Sequence, residues 1–250
     1  MFYRLICFLI FFSWHNQAFL SNILIYSDEG AYFQCIEETF SSIKAEVSST
    51  YEVKKVKADD INDILLSNAC LIIFPGGVAT CYAQKLNGEK NKLIKEFVQK
   101  GGSYLGLCGG AYYAGAHVDF AKGTNNALLK NHELAFFNGI VIGPALRPYD
   151  YYSNSGACIT KVRFNQQIYH LHYNGGGYFN EAHNMINTNI IASYEDLDNK
   201  AAIVKVNVGN GKAILSGVHF EYSLEDHEMN LKRKKLLRDM LTLLNIELKN

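Results

Sequence analysis

The sequence predicts an α/β fold in a single domain, built on a mainly parallel central sheet with helices on both faces. Two observations carry this prediction. Short apolar runs rich in β-branched residues, such as NILIYS and CLIIFPGG, alternate with segments in which apolar residues recur at helical spacing. Such alternation is typical of successive βα units. With 250 residues, 48% of them hydrophobic, the chain is long enough for one substantial core. No internal repeat or proline-rich linker indicates a second domain.

The elements follow in order along the chain. In the first half we expect strands at NILIYS, YEVKKVKA, CLIIFPGG and GSYLGLC, and helices at AYFQCIEETFSSIKAEV and NKLIKEFVQK. The second half is richer in strands, which we place at GIVIGPAL, CITKVRF, QQIYHLHYN, NIIASYE, AAIVKVNV and GKAILSGV. NVGNGKA predicts a hairpin between the last two strands, and a closing helix is expected from about Asp226 to Leu244. Residues 117–137 are the least periodic and predict a loop-rich excursion.

Residues 1–20 differ in composition from the rest. Arg4 precedes the apolar run LICFLIFF, and a less apolar stretch containing Ala18 follows. This order is typical of a secretory signal peptide, and the run is shorter than the roughly 20 apolar residues of a membrane-spanning helix. We expect an exported protein, periplasmic or secreted, whose mature chain begins between about Ala18 and Ile23. The alternatives are an uncleaved N-terminal anchor and a buried first strand.

The charge balance argues against a nucleic-acid partner, and the cysteine count implies a free thiol. The chain carries 24 basic and 24 acidic side chains, and no basic stripe with interleaved aromatic residues occurs, so we expect no nucleic-acid partner and no membrane contact beyond the first segment. The sequence does not indicate an oligomeric state. Beyond residue 20 there are five cysteines, so at least one thiol has no partner within the chain.

A candidate nucleophile lies in GLCGG. This run fits Gly-x-Cys-x-Gly, the cysteine form of the turn that exposes a nucleophile between a strand and a helix. The glycines leave room where a β-carbon would clash, and the helix N-terminus favours a thiolate on Cys108. The alternative interpretation is a small buried hydrophobic residue in a core strand.

A candidate base and its orienting group lie in SGVHFEY, at the end of another predicted strand. His219 and Glu221 are two residues apart, so in extended chain they point to the same side. A cysteine nucleophile needs a base, and the base needs a group that fixes its tautomer. We therefore predict the triad Cys108, His219 and Glu221. The alternatives are a surface histidine and a solvated charge.

The FPGG motif follows the strand CLII. Its glycine pair allows close approach of a ligand, and the N–H groups of Gly77 and Gly109 are candidates for binding an oxyanion. The alternative interpretation is an ordinary turn after a strand.

Six motifs, occurring in this order, resemble the N-terminal domain of eukaryotic biotin protein ligases, which is itself similar to class I glutamine amidotransferases: FPGG, GGSYLGLCGGAYYAG, ELAFFNG, YNGGGYF, ASYED and GKAILSGVHFE. The resemblance runs from about Ile23 to Glu221. It implies that residues 21–250 form a glutamine amidotransferase-like domain, a flavodoxin-like three-layer sandwich, with the triad on Cys108, His219 and Glu221.

The chain departs from that family in three ways. The amidotransferase pattern usually reads His-Pro-Glu where this chain has Phe220 between His219 and Glu221, so the rigidity that proline gives to the backbone is absent. No stretch resembles the Gly-Arg-Gly-rich biotinyl-adenylate loop, so we expect no biotin ligase activity. An exported amidotransferase would lack ATP and a synthetase, so we expect hydrolysis rather than ammonia transfer.

The run YHLHYNGGG supports two interpretations. His170 and His172 alternate on one strand face, the spacing of some zinc ligand pairs, and Cys108 or His219 would complete such a site. Because no second ligand pair occurs, we favour no metal. We instead expect this run to form a wall beside the thiol. The residues predicted to contact substrate are Gly76, Tyr112, Tyr173, Asn174 and Gly175.

The sequence thus predicts a thiol-dependent amidase or hydrolase with a Cys-His-Glu triad and no cofactor. It would act on a small-molecule or peptide amide. The alternative is a catalytically silent binding or accessory domain that keeps the turn around Cys108.

Overall fold

In the computed structural model, which describes residues 21–151 and 153–249, strands and helices alternate through the first half of the chain. The predicted signal segment, residues 1–20, lies outside the described residues. The helices are α1 Phe33–Glu46, α2 Asp63–Ser67, α3 Ala79–Leu86, α4 Glu89–Gln99, α5 Gly109–Tyr113 and α6 His227–Leu243. The strands are β1 Ser21–Tyr26, β2 Tyr51–Val56, β3 Ala69–Phe74, β4 Ser103–Leu107, β5 Gly115–Phe120, β6 Leu128–Asn131, β7 Phe137–Gly143, β8 Cys158–Phe164, β9 Gln167–Tyr173, β10 Tyr178–Phe179, β11 Thr188–Tyr194, β12 Ala201–Val208 and β13 Gly211–Ser216.

The sheet is parallel where the site lies. Its main path runs β2-β1-β3-β4-β13-β12-β10-β7-β5-β6, and neighbours from β2 to β13 are parallel. Beyond β13 most pairs are antiparallel, and β11, β8 and β9 branch from β12. The last strand of the chain, β13, therefore lies in the middle of the sheet. The predicted α/β class is confirmed.

Burial on both faces explains the continuous apolar strands. In β1, Ile23 and Ile25 belong to the core on one face, whereas Leu24 and Tyr26 belong to the core on the other. Successive strand residues point to opposite faces, so in a strand covered on both sides every residue is buried and apolar side chains are favoured throughout. This is why β1, β3 and β4 read as apolar runs in the sequence, whereas β2, at the edge of the sheet, does not.

Helices supply the two covering layers. Residues of α1 and α6 pack into the same core as Ile23, and residues of α2 to α5 pack into the core that contains Leu24. The closing helix begins where predicted, because the Asp226 side chain accepts a hydrogen bond from the Met229 N–H at 2.8 Å and caps it. No helix in residues 21–151 and 153–249 is long and apolar enough to cross a membrane.

The prediction of a loop-rich excursion over residues 117–137 is wrong in part. Strands β5 and β6 form an antiparallel pair there, with Phe120 opposite Leu128 and His117 opposite Asn131. Strand β6 lies at the edge of the sheet and three of its four residues are exposed. An exposed edge strand needs no alternation of apolar and polar residues, so its sequence gives no clear signal.

Candidate active site

Three neighbouring parallel strands bring the predicted site motifs together. Strand β3 ends at the FPGG motif, β4 at the cysteine, and β13 three residues before His219. Phe74 is in register with Gly106, and Leu107 with Ser216. Because the carboxyl ends of parallel strands meet at one edge, residues far apart in sequence become neighbours.

Cys108 lies at the strand-to-helix turn, as the sequence predicts. It caps α5 with φ 49° and ψ −101°, a conformation that costs a residue with a β-carbon about 1–3 kcal/mol. The flanking glycines are required by space. An added β-carbon on Gly110 would lie 2.1 Å from the Phe74 carbonyl oxygen, and one on Gly106 would lie 2.6 Å from the Gly110 carbonyl oxygen. Strain of this kind is typical of functional sites.

His219 and Glu221 are paired beside the cysteine and shielded from water. The His219 Nδ1 lies 2.6 Å from the Glu221 Oε1, and the two residues are 3% and 0% exposed. The Cys108 thiol contacts the Asn174 carbonyl oxygen at 3.6 Å and is 8% exposed. The cysteine, the imidazole and the carboxylate thus lie together at the carboxyl ends of β4 and β13.

The electrostatics of the pair favour a protonated imidazole. Burial alone would lower the pKa of His219. The charge of Glu221 and the interactions with Cys108 and Glu221 outweigh it and raise this pKa well above its ordinary value of 6.5. The His219 ring therefore presents a positive charge to the Cys108 side chain.

Long-range contacts hold the backbone at Phe220 and Glu221. The buried Arg233 guanidinium donates to the carbonyl oxygens of Phe220 and Glu221, each at 3.2 Å. The Ser42 hydroxyl donates to the Glu221 carbonyl oxygen at 2.6 Å. Helices α1 and α6 therefore position the base and its carboxylate from behind. Local sequence patterns do not predict this support.

The two candidate oxyanion glycines lie against each other. An added β-carbon on Gly109 would lie 2.6 Å from the Gly77 backbone nitrogen, so only glycine permits this approach. Gly109 is the first residue of α5, and a helix leaves its first N–H groups without helical partners. The turn after β3 and the turn around Cys108 thus form one surface.

A cavity of about 540 Å³ opens beside the thiol. Six residues that the sequence predicts for the site line it together with His219: Gly76, Gly77, Cys108, Tyr112, Asn174 and Gly175. Tyr173 is placed outside this lining. It is fully buried, and its hydroxyl donates to the Gly176 carbonyl and accepts from the Leu146 N–H, each at 2.9 Å. Its contacts support the loop rather than the cavity.

Sequence reasoning missed two residues around the imidazole, Cys35 and Tyr222. The Cys35 Sγ lies 3.2 Å from the Tyr222 hydroxyl, and both residues line the cavity. The Tyr222 ring stacks on His172 with centroids 4.5 Å apart, and the His172 carbonyl accepts from the His219 N–H at 2.9 Å. Tyr222 directly follows Glu221, which was a usable signal. No signal in the sequence pointed to Cys35, because it lies within a predicted amphipathic helix and resembles an ordinary core residue.

The described cysteines form no disulfides, and the candidate metal ligands form no metal site. Cys35, Cys70, Cys81, Cys108 and Cys158 are all free thiols. Within the described residues, no group of three or more His, Cys, Asp or Glu side chains is arranged to hold a metal ion. His172 contributes a ring to the cavity, and burial with the nearby charge of His219 lowers its pKa to about 4.

Comparisons with known proteins identify two relatives that match most of this chain. The biotin–protein ligase of Schizosaccharomyces pombe is 33% identical over 240 residues, covering 90% of this chain and 38% of that protein. The chain thus corresponds to well under half of that ligase. An uncharacterized protein of Chlamydia muridarum is 30% identical over 233 residues, covering 88% of this chain and 90% of that one.

Among solved structures, the crystal structure of a glutamine amidotransferase superimposes with a TM-score of 0.58 at 16% identity, covering 88% of this chain and 99% of that chain. At this identity the likeness concerns the fold. The sequence profile described as "Biotin-protein ligase, N terminal" matches residues 21–249. The chain therefore belongs to the biotin-protein ligase N-terminal family and has a glutamine amidotransferase-like fold.

Proposed function

We propose that the chain is a cysteine hydrolase that cleaves an amide bond, with Cys108 as nucleophile, His219 as base and Glu221 as the group that orients the imidazole. The observation that carries this proposal is the buried 2.6 Å contact between His219 and Glu221 beside a cysteine held at positive φ. A buried carboxylate that holds an imidazole in one tautomer is what a catalytic base next to a cysteine requires.

The proposed reaction has two steps. The thiol proton passes to His219 before the attack, which leaves the imidazole protonated as its raised pKa favours, and the Cys108 sulfur attacks the amide carbonyl carbon. The resulting tetrahedral intermediate collapses as the C–N bond breaks, and the imidazolium gives its proton to the leaving amine. The thioester that remains is opened by water, which His219 deprotonates, and the thiol is regenerated. The N–H groups of Gly77 and Gly109 would hold the oxyanion in both steps, a type of contact worth about 3 kcal/mol.

The chemistry proposed is hydrolysis, not ligation. Residues 1–20 have the composition of an export signal, and export would separate the protein from ATP and from a synthetase that consumes ammonia. The proposed substrate is a small-molecule or peptide amide.

Differential alkylation tests the proposal without a substrate, because Cys35 lies in the same cavity as Cys108. Burial raises the pKa of the Cys35 thiol, so Cys35 reports access to the cavity without activation. We expect iodoacetamide to modify Cys108 at least about 10-fold faster than Cys35. Mass spectrometry of the digested protein would measure the two rates. In His219→Ala most of this advantage should disappear.

The opposite result would support the second candidate, a silent binding domain. That candidate is favoured by one observation, the match to part of a longer ligase. Equal modification of Cys108 and Cys35 in both proteins would leave the turn around Cys108 without a catalytic role.

A further inference from the structure

We propose that the cavity beside Cys108 takes a neutral amide that bears an aromatic ring, rather than a charged amino acid such as free glutamine. This inference rests on the proposed function, since it names the substrate class of that same site. The walls, the ring content and two unpaired polar atoms carry it.

The cavity walls carry no formal charge apart from the triad. Among the described residues that line the cavity there is no Lys, Arg, Asp or Glu. Burial and nearby positive charge lower the pKa of His132 and of His172 to about 4, so both are neutral at physiological pH. Burial and the nearby Cys108 raise the pKa of the Tyr149 phenol, which is therefore also uncharged.

A zwitterion would find no partner in such a cavity. Free glutamine brings an ammonium and a carboxylate, and burying either without an opposite charge or several hydrogen bonds is unfavourable. The single imidazolium is already paired with Glu221 at 2.6 Å. The cavity therefore selects against free amino acids on electrostatic grounds.

Aromatic rings form much of the remaining wall. The Phe120 ring meets the Tyr149 ring edge to face with centroids 5.7 Å apart, and the Tyr151 ring with centroids 6.3 Å apart. Tyr32 lines the same cavity and is 50% exposed. Rings arranged in this way favour a planar apolar group, because edge-to-face and offset contacts add to the gain from burial. A cavity of about 540 Å³ lies within the roughly 300–1,000 Å³ range of small-molecule sites.

Two buried polar atoms in the lining lack partners among the described residues, the Asn174 Oδ1 and the His132 Nδ1. The backbone carbonyl of Asn174 is an acceptor next to the nucleophile, because the Cys108 thiol contacts it at 3.6 Å. An acceptor there suits the N–H of the amide under attack. His132 is 8% exposed and shares the cavity with Val118 and Leu128, so it offers one neutral hydrogen bond to an otherwise apolar group.

Matched alkylating probes test this substrate class. Three reagents share one chloroacetamide warhead: 2-chloroacetamide itself, neutral N-benzyl-2-chloroacetamide, and zwitterionic Nγ-chloroacetyl-2,4-diaminobutyrate. We expect the benzyl reagent to modify Cys108 with saturation and about 10-fold faster than 2-chloroacetamide. The zwitterion should be no faster than 2-chloroacetamide.

Ring variants test the wall independently of folding. We expect Tyr149→Leu to lower the ratio of the benzyl rate to the 2-chloroacetamide rate about 5-fold, and Tyr149→Phe to keep it. Tyr32→Leu and Tyr32→Phe repeat the comparison at a half-exposed position, where a substitution leaves the core intact.

The outcomes separate the two proposals. If 2-chloroacetamide does not single out Cys108 over Cys35, the proposed function fails. If it does, but the zwitterion reacts as fast as the benzyl reagent or faster, the triad stands and the neutral aromatic substrate class is refuted. Equal ratios in the Leu and Phe variants at both positions would also refute it.

Discussion

The Arg233 guanidinium donates a 3.2 Å hydrogen bond to the carbonyl oxygen of Phe220, the residue between the base and its carboxylate. The amidotransferase pattern that this sequence resembles has a proline at this position. Here a buried cation on α6 and the Ser42 hydroxyl on α1 fix the same backbone from outside. Arg233 is thus a positioning residue, which acts on the triad through the carbonyl groups that it holds.

Replacing Arg233 should weaken both stability and reactivity. Arg233→Met keeps the length of the side chain and removes its donors, so buried carbonyls lose charged partners. We expect the free energy of unfolding to fall by about 2–4 kcal/mol in urea titrations. The alkylation advantage of Cys108 should fall too. Arg238→Met is the matched control, because Arg238 pairs with Glu46 with 39% of its side chain exposed, and it should cost less than about 1 kcal/mol. Equal losses in the two variants would contradict the role of Arg233.

The His219–Glu221 pair should make stability depend on pH. The folded-state pKa of His219 is raised, so its contribution is complete below the unfolded value of about 6.5 and is lost as pH rises through the folded pKa. In a Cys108→Ala background, Glu221→Gln should cost more stability at pH 6 than at pH 9. The difference is about 1.4 kcal/mol for each unit of raised pKa. Unfolding in urea at the two pH values measures it, and a cost independent of pH would contradict the pairing.

The turn around Cys108 should tolerate no β-carbon at Gly110. Such a carbon would lie 2.1 Å from the carbonyl oxygen of Phe74, and backbone cannot move aside cheaply. We expect Gly110→Ala to lower the free energy of unfolding by about 3 kcal/mol. Gly123→Ala is the control for backbone strain without a steric clash, since Gly123 has φ +81° and an added β-carbon would meet no atom within 4 Å. We expect it to lower the free energy of unfolding by only about 1–2 kcal/mol. Thermal and urea unfolding compare the two, and a Gly110→Ala protein as stable as the control would show that the turn has room.

Exported protein should begin near the first strand. We propose cleavage between about Ala18 and Ile23, and β1 begins at Ser21. N-terminal sequencing of protein recovered from the periplasm or medium would measure this position. Recovery of Met1 in exported material would instead support the uncleaved anchor.

Much of the fold was predictable because the parallel strands are buried on both faces. Ile23, Leu24 and Ile25 are all inaccessible, and this leaves a continuous apolar run in the sequence. The pairing of His219 with Glu221 was predictable too, since extended chain places residues i and i+2 on one side.

Other features were not predictable, because they depend on contacts between distant segments. Cys35 and Tyr222 lie 187 residues apart in sequence, so no local pattern predicts their contact. Ser42 and Arg233 are polar residues buried against the backbone of another segment, which local patterns do not report. The same holds for Tyr173, whose neighbours in YNGGG suggested the cavity and whose hydroxyl instead bonds backbone groups.

The position of β13 has a consequence for how the protein is made. Strand β4 is buried at all five residues, yet its partner β13 ends at Ser216, 109 residues after Leu107. At about 5–20 residues per second, a nascent chain carries an unpaired apolar edge for roughly 5–20 s before it can be covered. Such an edge invites aggregation during synthesis, so we expect the yield of soluble protein to depend on a chaperone that holds the unfinished chain. The same delay leaves the Cys108 thiol without its proposed base, because His219 follows β13 and is synthesised after it.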